Sequence, residues 1–135
     1  MTSSRSIAVA AVFCLELAFI PVAWADPAGD ACGALAVARG TLYEMTSGKD
    51  KSALDALNAK VQAASKKLDS ALAGMTGADA KMAADFKPIW DQFKATRDQE
   101  LIPALYKGDI DSAKKIANGV QFERLIKMWN IICKK

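Results

Sequence analysis

The chain has 135 residues, a net charge of +3, 52% hydrophobic residues and no histidine. That is enough for one modest domain. The missing histidine removes the commonest general base, the commonest transition-metal ligand and the usual axial haem ligand. Acidic and basic residues are interspersed rather than clustered, so no nucleic-acid footprint is read.

The first 25 residues read as a secretory signal. Arg5 supplies a positive start, an apolar run follows from Ile7 to Ala23, and Ala23-Trp24-Ala25 offers the small-x-small pattern before Asp26. An uncleaved anchor is the competing reading. Glu16 in the middle of the run and Pro21 near its end speak against it, because a spanning helix needs about 20 predominantly apolar residues. Neither Cys14 nor Cys32 lies in a lipobox. No second apolar stretch in residues 26–135 is long enough to span a membrane, and this part is expected to be periplasmic or secreted.

Residues 26–135 divide at three turns, Ser47-Gly48-Lys49-Asp50, Gly74-Met75-Thr76-Gly77 and Lys107-Gly108-Asp109. Each places glycine where a helix would end and a capping side chain where the next would begin. Ser52-x-x-Asp55 and Thr76-x-x-Asp79 have capping-box spacing, and Asp109 can cap the last helix. The expected helices are about Asp30–Ser47, Lys51–Ala73, Gly77–Tyr106 and Ile110–Cys133.

In the first, Ala31, Ala34, Leu35, Ala38, Leu42 and Met45 share a face. In the second, Leu54, Leu57, Val61, Ala64, Leu68 and Ala71 step by three and four, a heptad-like seam. Met82, Phe86, Trp90, Phe93, Leu101 and Leu105 hold a face of the third. Ile110, Ala113, Ala117, Val120, Leu125, Met128 and Ile132 do so in the fourth. Pro88 and Pro103 should each kink or break the third helix. No stretch alternates with period two. The expected fold is therefore all-α, an antiparallel up-down-up-down four-helix bundle.

Reflection through the three turns puts Cys32 level with about Ser65, then Asp85, then Ile131, two residues from Cys133. In an oxidising compartment this predicts a Cys32–Cys133 disulfide. The alternative is two free, buried thiols.

Catalytic patterns are missing. There is no phosphate loop, no Gly-x-Ser-x-Gly elbow, no zinc-ligand spacing and no Cys-x-x-Cys-His for haem. Asp91, Asp98 and Glu100 share a helix with Lys94 and Arg97 and read as a solvated charged face. No catalytic residue, metal or cofactor is assigned, and the protein is expected not to be an enzyme.

Arg97 and Arg124 are the candidate ligand-binding residues, because each interrupts an apolar helix face. They could line an internal pocket for an anion, or snorkel to the rim and pair with Asp or Glu. Phe122, Ile126, Trp129 and Cys133 form a second apolar stripe on the last helix. A buried last helix could use it, and so could a homodimer.

Ile89-Trp90-Asp91-Gln92-Phe93 through Arg97, with Leu105-Tyr106-Lys107-Gly108-Asp109 to Ala113, resembles the periplasmic four-helix-bundle sensor domain of methyl-accepting chemotaxis receptors. The resemblance covers residues 35–132 and implies a bundle that senses a ligand or partner, often as a dimer. No residue of an aspartate-receptor ligand constellation matches. The chain is also similar to cytochrome c-prime, an exported bundle with a tryptophan in its third helix and a cysteine near its end. Ile131-Ile132-Cys133-Lys134-Lys135 stands where that family has its haem motif, without the second cysteine and the histidine. The leading function is thus an exported sensor-like or binding bundle acting through a small ligand or a protein. A haem or electron-transfer bundle with non-histidine ligation is the alternative.

Overall fold

The structure is a computed structural model that describes residues 25–134, and the expected secretory signal lies, up to Trp24, outside the described residues. Among the described residues every regular element is helical, and no helix is long and apolar enough to cross a membrane. The elements are α1 (Pro27–Met45), α2 (Lys51–Gly74), α3 (Ala80–Thr96), a π turn (Arg97–Leu101), α4 (Ile102–Tyr106), α5 (Ile110–Asn118) and α6 (Val120–Ile132). They make four rods, because α3, the π turn and α4 run on without a gap, and only Gly119 separates α5 from α6.

The caps explain where the rods begin. Asp26 accepts from the Gly29 N–H at 3.0 Å, and Pro27 follows at the first helical position, where its missing N–H costs nothing. Asp50 accepts from the Ala53 N–H at 2.8 Å. This replaces the expected Ser52–Asp55 box, since Asp50 already satisfies the donor one turn earlier. Thr76 precedes the short 3-10 turn Gly77–Asp79 without a side-chain cap bond. Asp109 caps α5 through the Ser112 N–H at 3.1 Å, as expected.

The turn glycines Gly48, Gly77 and Gly108 all have positive φ. At Gly108 this conformation lets the Asp109 N–H reach back to the Ala104 carbonyl at 2.9 Å, closing the helix end.

The prolines behave differently from each other. Helix α3 is unbroken at Pro88, which lies inside it. The carbonyl that loses its donor there belongs to Ala84, which is exposed, so water can take the donor's place. Pro103 is preceded by the π turn, in which the Ile102 N–H bonds the Arg97 carbonyl five residues back. The wider turn relieves the crowding that the proline ring would impose on the preceding coil.

Gly119 is a break that the sequence reading missed. Its φ and ψ are −97° and −112°, and a Cβ there would lie 2.8 Å from the Lys115 carbonyl oxygen. The break resets the helical phase. Val120, expected in the core, is exposed, and Gln121 is buried in its place. From there Gln121, Leu125, Met128 and Ile132 form the inward seam.

One continuous core joins the rods. Ala28, Ala31, Ala34, Leu35, Leu42 and Met45 of α1 meet Leu54, Val61, Leu68 and Leu72 of α2, and the aromatics Phe86, Trp90 and Phe93 fill the centre from α3. Alanine on the facing sides of α1 and α2 lets these two helices pack closely. Cys32 and Cys133 are disulfide-bonded, with Cα atoms 5.3 Å apart. The start of α1 is thereby tied to the end of α6.

The reflection that located this pair does not hold between α2 and α3. Ser65 faces Arg97, not Asp85, and Asp69 faces Trp90. The offset of twelve residues is about 18 Å of helix. The 3-10 turn and the largely exposed first turns of α3 displace it along α2. Levels are therefore not carried unchanged from helix to helix around the molecule.

Candidate functional site

Two features stand out from ordinary bundle packing, a buried polar belt and an open apolar trough. The belt begins with Arg97, which is 1% exposed. Its Nε and Nη2 donate to the two oxygens of Asp98 at 2.7 and 2.9 Å, and Nη1 donates to Ser65 Oγ at 2.5 Å. Gln62 Oε1 lies 3.5 Å from Nη2, and the Gln62 amide donates to Asp98 at 3.2 Å. Ser65 in turn donates to the Val61 carbonyl at 2.9 Å.

On the other side of α3, Arg124 donates through Nη1 to Thr96 Oγ1 at 2.8 Å and Gln121 Oε1 at 3.0 Å, and more weakly to the Gln92 carbonyl at 3.3 Å. The Gln121 amide donates to the Phe93 carbonyl at 2.9 Å. Arg124 thus grips α3 from α6, while Arg97, on the α3 rod itself, reaches across to Ser65 and Gln62 of α2. The two candidate arginines do not converge on a shared cavity. Arg97 does not snorkel to a rim, and the partners of Arg124 are neutral oxygens. No buried side-chain nitrogen or oxygen among the described residues lacks a partner.

Gln121 and Ser65 belong to this belt and were not singled out from the sequence. The signal was present. Ser65 sits between Val61 and Leu68 on the heptad seam, and Gln121 precedes Leu125 by four.

The belt makes a sharp energetic prediction. Asp98 is about half exposed, while the guanidinium it neutralises is buried. Asp98→Asn should destabilise by about 1–2 kcal/mol, since it leaves that charge less compensated while water reaches it from one side. Arg97→Met, which removes the buried charge and keeps an apolar stem, should cost less. Urea titrations of the two variants check the order.

The trough lies between α1 and α6. Leu125, Phe122, Ile126, Trp129, Asn130 and Lys134 line it together with Arg39 of α1. Its volume is about 300 Å³. Phe122, Ile126 and Trp129 remain 38, 46 and 36% exposed, although Leu125 between them is buried. This is the second stripe read from the sequence. Burial of α6 uses Gln121, Leu125, Met128 and Ile132 and leaves that stripe outside.

The remaining titratable groups with shifts are ordinary surface pairs. Lys87 donates to Asp91 at 2.5 Å, which raises the lysine's pKa and lowers the carboxyl's. Tyr106 donates to Asp55 at 2.6 Å, which lowers Asp55 and raises Tyr106. Asp109 is lowered by its cap bond to Ser112. None of these lies at the trough. No group of three or more His, Cys, Asp or Glu residues that could hold a metal occurs among the described residues.

Comparison with protein families, with characterised proteins and with solved structures finds no match.

Proposed function

We propose that this chain is an exported, non-catalytic binding bundle whose working surface is the α1–α6 trough. The carrying observation is the trough itself, three large apolar side chains left exposed beside buried Leu125, which a fold assembled for stability alone has no use for. The Cys32–Cys133 bond supports an oxidising, periplasmic or secreted location. In this reading the leader is removed after Ala25. Partners along α2 and α3–α4, from Trp90 with Asp69 to Tyr106 with Asp55, run in opposite chain directions, which favours an up-down-up-down order of rods. The resemblance to receptor sensor domains favours recognition of a small ligand or a protein over catalysis. Arg124 then holds α6 to α3 and Arg97 ties the α3 rod to α2, and neither is a ligand contact.

Thermal-shift screening against amino acids, organic acids, aromatics and peptides tests this. A ligand at 100 times its Kd should stabilise by about 2.7 kcal/mol and raise the melting temperature by several degrees. The shift should vanish in Ile126→Asp, whose side chain is exposed and whose fold should survive. A shift that persists in Ile126→Asp would move the site elsewhere. A Soret band with stoichiometric haem in the purified protein would replace the reading with the haem-bundle one.

A further inference from the structure

We propose that the α1–α6 trough docks an amphipathic helix of a partner protein, one with an apolar seam flanked by carboxylates; this rests on the trough being the working surface. Shape gives the first argument. From Phe122 to Trp129 the apolar lining spans seven residues, or ~10 Å, two turns of helix. That length accepts the i, i+3/i+4, i+7 anchors of a helix laid in a groove. The trough is only half enclosed, whereas pockets for small molecules enclose most of their ligand. It is also concave, so a planar bilayer surface could not reach buried Leu125 and both walls together.

Charge gives the second argument and selects the occupant. Arg39 stands on the α1 wall, with its guanidinium carbon 5.9 Å from the centre of the Tyr43 ring. Lys134 is the second cation of the lining. Neither cation has a carboxylate within ion-pair distance among the described residues, and no carboxylate is among the residues that line the trough. The one carboxylate of α6, Glu123, is not among the lining residues. A second copy docked by a two-fold axis would set these cations against themselves. A partner helix with Asp or Glu on both flanks would pair with them instead. Such rim pairs contribute mainly to on-rate and choice of partner, while the apolar seam supplies the affinity.

The experiment uses the purified oxidised protein and two synthetic helical peptides. Both carry the same Leu and Phe seam; one has Glu on its flanks and the other Lys. Calorimetry at low salt should show the Glu peptide binding at least about tenfold tighter. Ile126→Asp should abolish its binding. The exposed pair Arg39→Glu, Lys134→Glu should keep the melting temperature and reverse the preference. Equal binding of the two peptides, or a preference unchanged in the double variant, would overturn the charge assignment. So would binding to phosphatidylglycerol vesicles without binding to the Glu peptide, or self-association in sedimentation that Ile126→Asp prevents. If neither peptide binds, the inference fails. The reading of the trough as a binding surface still stands if a small ligand's thermal shift is lost in Ile126→Asp, and it fails as well if no such ligand is found.

Discussion

Reduction of the Cys32–Cys133 bond is expected to lower the melting temperature by roughly 20–40 °C. The cysteines are 101 residues apart, so the bond closes a loop of about 100 residues in the unfolded chain. By loop-closure entropy such a crosslink is worth about 4.7 kcal/mol. A domain of this size gains about 4–8 °C of melting temperature per kcal/mol. Total stability of small domains is only about 5–15 kcal/mol, so the reduced protein should sit near the edge of folding. Calorimetry with and without reductant measures the difference, and the Cys32→Ser, Cys133→Ser double variant should match the reduced form. A shift of only a degree or two would mean that the unfolded chain is already compact when the bond is open.

Trp90→Ala is expected to destabilise by about 3–5 kcal/mol, the usual range for deleting a buried tryptophan. Trp90 is fully buried. Its ring stacks on Phe93, with centres 5.5 Å apart and planes inclined by 16°, and meets Phe86 at 6.4 Å. Its Nε1–H donates to Asp69 at 2.7 Å, and Lys94 Nζ lies 5.4 Å from the ring centre. Truncation opens a void among the three aromatics and removes the indole's hydrogen bond from α3 to α2. Asp69 keeps its ion pair with Lys94, so no carboxylate is stranded. Trp90→Phe should therefore recover part of the loss. Urea unfolding followed by far-ultraviolet circular dichroism gives the order Trp, Phe, Ala. Equal stability of Phe and Ala would show that the indole N–H bond, rather than the aromatic volume, carries the effect.

Most of the helical fold could be read from residue spacing because a helix buries a narrow stripe and repeats it. The seams Ala31–Met45 and Leu54–Ala71 run as written, apart from Leu57, which is only partly buried. What escaped was information that spacing does not hold. Asn118-Gly119 was read through as helix, since one glycine costs a helix only about 1 kcal/mol and gives no phase signal of its own. The consequence was large, for Val120 and Gln121 exchanged places. The π turn before Pro103 was legible only as a disturbance, because proline marks where a helix is strained and not how it yields. At the candidate site, the Phe122–Ile126–Trp129 stripe was visible as surplus apolar surface on the last helix. That Arg39 lines the same trough was not, since it depends on which side of α6 faces α1. Nor could the sequence tell that Arg97 spends its donors on Asp98, Ser65 and Gln62.

The bond between Cys32 and Cys133 gives residues 32–133 the connectivity of a closed ring. A protease that cuts once at the Gly48, Gly77 or Gly108 turn opens this ring without dividing it. Both pieces stay on one covalent thread, at the same effective concentration as before, and can refold together. In a compartment where exported proteins meet proteases without ATP-driven refolding machinery, a single cut at one of these turns is then a repairable event, and separation of the pieces takes a second cut or a reductant.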